Sequence, residues 1–255
     1  KALMAGLAKD TKAVAGTNNQ KLRDFYLTAI DSVKADKDGI KPISGDLATI
    51  DAIKTKDDLF KTTALLNKKG VGGMIGFYVY SDFKNSNANT CYLAQTGMGL
   101  PDKDFYFEPQ YESVKREYVE HIERMFECLG NYPESAKANA AIVMKIETEL
   151  AKNAQNAVEQ RDPQKQYNPF TQAELMKLTP NVNWNIYFAS IGIKTPANLV
   201  LNQPKYYEGL NAVINSVSIA DWKVFLKWNL IQTAAPYLSS KFVNEDFKFN
   251  GTVLA

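Results

Sequence analysis

Residues 97–106 read Gly97-Met98-Gly99-Leu100-Pro101-Asp102-Lys103-Asp104-Phe105-Tyr106. Gly97, Gly99 and Pro101 are turn chemistry, because glycine tolerates backbone angles closed to other residues and proline locks φ. Asp102 and Asp104 follow where a new helical turn leaves N–H groups free, and a carboxylate accepts such bonds. The stretch therefore predicts a tight strand-to-helix connector. What lies on either side decides the fold.

Upstream, Gly72-Gly73-Met74-Ile75-Gly76-Phe77-Tyr78-Val79-Tyr80 is rich in aromatic and β-branched residues, as a strand is. Asn85-Ser86-Asn87-Ala88-Asn89 reads as a turn cluster, and Thr90-Cys91-Tyr92-Leu93-Ala94-Gln95 as a second short strand. Together they predict one small β-hairpin at about 72–96. Downstream, Tyr111 to Leu129 places Val114, Tyr118, Ile122, Met125, Phe126 and Leu129 on one helical face, with Gly130 as its stop. Glu134 to Asn156 reads as another long helix carrying Ile142, Val143, Ile146 and Leu150.

The remaining pattern is also helical. Lys21 to Lys34 carries Leu22, Phe25, Tyr26, Ala29, Ile30 and Val33 on one stripe. Asp46 is placed to cap a helix that turns Leu47, Ile50 and Ile53 inward, and Lys56 to Asn67 is a third helix. Shorter helices are expected at Thr171–Leu178 and Asn183–Ser190, an extended piece at 199–202, and two more helices at Lys205–Ser216 and Ile219–Ser240. Pro236 should kink or end the last one. The expected fold class is mainly α, a multi-helix domain with one small β-hairpin.

Composition removes several function classes. With 30 basic and 28 acidic residues in 255, net charge is +2 and the lysines are scattered, so no nucleic-acid footprint is present. No run reaches the roughly 18 apolar residues of a transmembrane segment. Cys91 and Cys128 form no disulfide framework and read as buried or half-buried thiols. His121 is the single histidine, at the edge of an apolar helix face; pairing it with Cys128 as metal ligands requires Cys91 and an acid from elsewhere. Hydrolase-elbow and phosphate-loop signatures are missing. The carboxylate pairs Asp57-Asp58 and Glu147/Glu149 read as solvated helix faces.

A resemblance joins these pieces. Gly97, Gly99, Leu100, Pro101, Asp102, Asp104 and Tyr106 match the GLGLPDRDYY-type signature of neprilysin-like zinc metallopeptidases, with Lys103 for arginine and Phe105 for tyrosine. Arg161-Asp162-Pro163 with Tyr167-Asn168 resembles the family's R-N-D-P-x-x-x-Y-N segment. Phe170 to Leu175, Trp184, Gln203-Pro204-Lys205-Tyr206-Tyr207, and the Trp222 to Trp228 helix with Tyr237-Leu238-Ser239 follow in the family's order. Phe25-Tyr26 and the Gly39/Pro42 pair fit its opening helices.

That resemblance implies an N-terminal, non-catalytic helical domain, residues 1–255 being a single domain truncated at both ends. In such proteins zinc is held by HExxH and a later ExxxD, and neither motif occurs here. Zinc is thus expected in the full-length protein and none on this chain. The implied partners are the protein's own C-terminal catalytic domain and peptide substrates, with the helical part restricting access. A structural role is expected for the motif residues, with Arg161, Asp162, Tyr167 and Asn168 in a buried polar network. An exported or cell-envelope location fits the family. The alternative is a stand-alone helical module that binds peptides or proteins.

Overall fold

The computed structural model describes residues 2–10 and 12–255. The helices α1 (Ala2–Ala8), α2 (Asn18–Ile30), α3 (Ser32–Asp38), α4 (Ser44–Asp51) and α5 (Lys56–Asn67) precede a hairpin of β1 (Gly76–Asp82) and β2 (Asn85–Ala94). One helical turn, α6 (Asp104–Phe107), leads into the long pair α7 (Glu112–Cys128) and α8 (Pro133–Ala151). Next come β3 (Asn168–Thr171), α9 (Gln172–Leu178), α10 (Trp184–Ile191) and β4 (Asn198–Leu201). The last elements are α11 (Pro204–Ser216), α12 (Ile219–Ala234), α13 (Ser240–Lys248) and a π-helical turn, Phe249–Val253. The chain is mainly α.

The core is organised around α12. Trp222, Phe225, Leu226, Trp228, Leu230 and Ile231 are all buried, so this helix is apolar around most of its circumference. A helix of that kind must be surrounded, and α4, α5, α7 and α8 pack against it. Trp184, Trp222 and Trp228 are fully buried. α5 begins and ends where its pattern predicts, because Thr55 and Asp58 form a reciprocal capping box. Thr171 and Glu174 start α9 in the same way.

The hairpin belongs to a larger sheet. Its strands run in the order β1-β2-β4-β3, with β2 parallel to β4 and β3 antiparallel to β4. The residues Asn85–Asn89 are not the turn but the first half of β2; the chain reverses at Phe83-Lys84, where the Asp82 carboxylate accepts the Lys84 N–H at 2.8 Å. α11 clamps the base of the hairpin. The Tyr206 hydroxyl donates to the Thr96 carbonyl at 2.8 Å, and the Tyr207 hydroxyl to the Ala94 carbonyl at 2.9 Å.

Other expectations are corrected. The helix at Lys21–Lys34 breaks at Asp31, whose side chain caps α3 by accepting the Lys34 N–H. Its apolar stripe is not covered: Phe25 is 75% exposed and Val33 79%. Asp46 lies inside the first turn of α4, with Ile43 at the cap position, and pairs with Lys69. α8 stops at Ala151, short of Asn156. α12 ends at Ala234, ahead of Pro236 as its ring requires, and α13 is a separate helix. Arg161 is exposed and Asp162, Tyr167 and Asn168 are half-buried, so no buried network forms there.

The bare stripe on α2 sets up a contrast. Phe60→Ala, at a fully buried position on α5, should lower the unfolding free energy by about 3–5 kcal/mol. Phe25→Ser should change it by less than about 0.5 kcal/mol. Denaturant titration of the two variants checks both, and a large loss at Phe25 would show that the stripe is packed in solution.

Candidate functional site

The opening stretch is held by one carboxylate that its pattern concealed. Glu147 on α8 is 1% exposed. Its Oε2 accepts from the Tyr106 hydroxyl at 2.7 Å and the Gly99 N–H at 3.3 Å. Its Oε1 accepts from the Tyr118 hydroxyl at 3.0 Å and from Trp228 Nε1 at 3.1 Å. The Leu100 N–H in turn donates to the Tyr106 oxygen at 3.2 Å. One side chain therefore ties the connector and α6, α7, α8 and α12 together.

The glycines are needed for two different reasons. Gly97 adopts φ +78°, and a Cβ there would lie 2.6 Å from the Gly73 carbonyl. Gly99 has no unusual φ; its Cβ would fall 1.8 Å from the Tyr118 hydroxyl oxygen. Close approach to the glutamate cluster, rather than turn geometry, demands glycine there. Asp102 completes the connector by accepting the Asp104 N–H at 2.8 Å and the Ala157 N–H at 3.2 Å. Asp104 accepts from Asn156 Nδ2 at 3.2 Å.

The other motif residues are placed apart from this cluster. Tyr167 donates to the Asp82 carboxylate at 2.9 Å, linking the segment before β3 to the hairpin tip. Asn168 Nδ2 reaches the carbonyls of Lys165 at 2.9 Å and Leu201 at 3.0 Å. Asp162 accepts the Gln164 N–H at 3.0 Å within its own turn. Trp184 Nε1 donates to Thr179 Oγ1 at 2.8 Å. Asp58 serves its capping box, and Asp57 accepts from Asn183 Nδ2 at 3.0 Å.

His121 extends the buried polar line from α7 to α13. It is fully buried rather than at an edge, with Nδ1 2.9 Å from Glu245 Oε1 and its ring stacked on Phe249 at 4.7 Å. Arg124 Nε bonds the same oxygen at 2.8 Å. Burial pushes the Glu245 carboxyl up, but the bonds from His121 and Arg124 outweigh it and hold the group below its ordinary range. Cys128 and Cys91 are half-buried thiols whose pKa burial raises. Cys128 Sγ faces the Lys241 carbonyl at 3.7 Å. Among the described residues no three His, Cys, Asp or Glu groups are placed to hold a metal.

Glu147 is the functional-looking group that the reading of Glu147/Glu149 as a solvated pair missed. The signal was its spacing: Ala136, Ala140, Val143, Glu147 and Leu150 fall on one buried stripe of α8. A second feature, legible only in three dimensions, is an apolar groove of about 680 Å³ beside α2 and α3. Ala29, Ile30, Pro236, Leu238 and Val243 line it, and Tyr237 is 81% exposed at its edge.

The environment of Glu147 makes its variants informative. Burial raises its pKa from the ordinary 4.5 to about 7, against the opposing pull of four hydrogen-bond donors. A carboxyl raised in the folded state contributes stability that is full below pH 4.5 and is lost as pH rises through 7. The stability advantage of wild type over Glu147→Gln should therefore shrink across that window, by on the order of 3 kcal/mol. Unfolding measured at a series of pH values reads it, and a pH-independent difference would refute it. Gly99→Ala should destabilise by roughly 1–3 kcal/mol or more through overpacking.

Comparison with known proteins connects these segments. The model for peptidase family M13, in its N-terminal form, matches residues 1–255. Endothelin-converting enzyme 1 of Cavia porcellus is 30% identical over 178 residues, covering 68% of this chain and 24% of that protein. The zinc metalloprotease Zmp1 of Mycobacterium tuberculosis, solved with an inhibitor, superposes with a TM-score of 0.92 at 32% identity. That match takes in 99% of this chain and 39% of the Zmp1 chain. PepO of Lactobacillus rhamnosus shares the fold, with a TM-score of 0.78 at 18% identity over 98% of this chain and 40% of its own. The chain thus spans between a quarter and two fifths of these proteins. By sequence and by fold, it belongs to peptidase family M13.

Proposed function

We propose that this chain is the helical, non-catalytic part of a zinc-dependent metalloendopeptidase that cleaves oligopeptides, and that it walls off access to the zinc. The observation that carries the reading is the near-complete match of this chain to two fifths of a zinc metalloprotease. On this reading the zinc ligands lie in the part of such a protein that this chain does not match. This chain's own residues suit zinc poorly: His121 is engaged by Glu245 inside an aromatic stack, and Cys128 faces a backbone carbonyl. The metal would therefore be held by residues outside this chain, and no chemical step is assigned to the residues described here.

Rigidity supports the role of a wall. A size filter works only if its aperture does not breathe, and close-packed long helices resist deformation better than loops. α7, α8 and α12 are packed together and further joined through Glu147. The groove beside α2 and α3, with Phe25 and Tyr237 exposed, offers apolar surface of the kind that marks contact with another domain.

The test is an assay of the natural full-length gene product beside this chain alone. A short fluorogenic peptide should be cleaved by the full-length protein in a chelator-sensitive manner and left intact by the chain alone. A folded protein carrying the same cleavage sequence should resist. Hydrolysis by the isolated chain, or a gene product lacking HExxH and ExxxD, would overturn the assignment. The second outcome would favour a stand-alone binding module.

A further inference from the structure

The four-stranded sheet has two edges, and the chain treats them differently. β3 is guarded: it is four residues long and carries Pro169, which has no N–H to offer a further strand. β1, at the other edge, is seven residues long, and its run from Gly76 to Ser81 includes no lysine, arginine, carboxylate or proline. The register shift of the hairpin falls at its tip, between Ser81 and Asp82, so Gly76 to Ser81 pair regularly with β2. Natural sheets blunt an edge with charge, proline, shortness or a bulge, and the middle of β1 has none of these.

What β1 exposes is largely apolar. Phe77 is covered, its ring set edge-on against Tyr187 and Phe188 of α10. Past it the hairpin leaves the body of the protein: Tyr78 is 37% exposed, Val79 54% and Tyr80 60%. Successive strand residues face opposite sides, so Tyr78 and Tyr80 stand in water on one face and Val79 on the other. Asn85 to Asn89 of β2 are exposed beside them. Phe83 continues the aromatic face, meeting Tyr80 at 6.2 Å and Tyr92 at 5.4 Å, and Tyr78 lies flat on Tyr92 at 5.0 Å.

An open strand edge is completed by another extended backbone, because its outward N–H and C=O groups need partners in strand register. The sequence of β1 indicates which backbone. Tyr78-Val79-Tyr80 reads the same in both directions. A second β1 related by a two-fold axis at Val79 would run antiparallel to the first and be self-complementary. Tyr78 then meets Tyr80 of the second copy, Tyr80 meets its Tyr78, and the two valines face each other. Aromatic and β-branched residues are the types that stabilise such cross-strand pairs. Charge agrees as well: Asp82, the one charged residue of β1, falls opposite Gly76 rather than against its own copy.

We propose that β1 is the pairing edge of a symmetric dimer, in which two copies of this chain join antiparallel about Val79 and their sheets become continuous. Tyr78, Tyr80 and Phe83 of both copies form one aromatic face across the junction. The contact uses neither the zinc-dependent chemistry nor the groove beside α2 and α3, so it is independent of the peptidase assignment.

Sedimentation of the full chain, from micromolar to sub-millimolar concentration, tests it and should show a concentration-dependent dimer. Val79→Lys sets two ammonium groups face to face at the axis and should raise the dissociation constant at least about tenfold. Val79→Thr, β-branched and neutral, should leave it within about twofold. Phe25→Lys, on the exposed α2 stripe, should leave it unaltered. Cross-linking reads the register. Val79→Cys is made together with Cys91→Ser, because Cys91 pairs with Val79 across the hairpin. It should form a disulfide between copies on mild oxidation, since directly opposite residues carry Cβ atoms about 4.5–5.5 Å apart. Val33→Cys, at a more exposed site on α3, should not. A monomer throughout the range, a dimer indifferent to Val79→Lys, a dimer lost with Phe25→Lys, or equal cross-linking at position 33 would overturn the proposal. Val79 and Phe25 are exposed, so neither lysine variant disturbs the core.

Discussion

A single buried carboxylate sets the arrangement of this fold. Glu147 receives donors from a backbone N–H, two tyrosines and a tryptophan, drawn from the connector, α6, α7 and α12. Burying a carboxylate is expensive unless its oxygens are satisfied, and removing the carboxylate would leave its four donors unpaired in a medium of low polarity. The requirement is therefore collective. It dictates a residue without a side chain at position 99, because the backbone must come within bonding distance of the cluster past the Tyr118 hydroxyl.

The same logic explains why the recognisable segments of the chain sit far apart in sequence. The connector belongs with Glu147, Tyr118 and Trp228. Tyr206 and Tyr207 belong with the base of the hairpin, whose carbonyls they bond. Tyr167 and Asn168 belong with the sheet, one bonding Asp82 and the other the end of β4. Each pairing fixes a local backbone path by satisfying polar groups that the core would otherwise strand.

Two of the open surfaces differ in chemistry. The groove beside α2 and α3 is apolar and shallow enough to leave Phe25 and Tyr237 largely in water. The cavity between α8 and α11 is basic, lined by amides and backed by an uncapped helix start. Apolar surface favours a large permanent neighbour, since its burial is worth most when extensive.

The sequence by itself determined the helical class and most helix positions, because periodicity is a local physical signal. The start of α5 at Lys56 is set by Thr55 and Asp58, which act within one turn. The family signature was equally legible, as a run of residues in fixed order. What only the tertiary structure decided were pairings between distant segments. The β2–β4 contact joins residues about a hundred positions apart, so the hairpin gave no local sign of a four-stranded sheet. Glu147 read as solvated because its type outweighed its place on the stripe, and its partners lie on three other helices and a loop. The α2 stripe read as buried because amphipathicity shows which face seeks cover, not whether this part of the chain provides it.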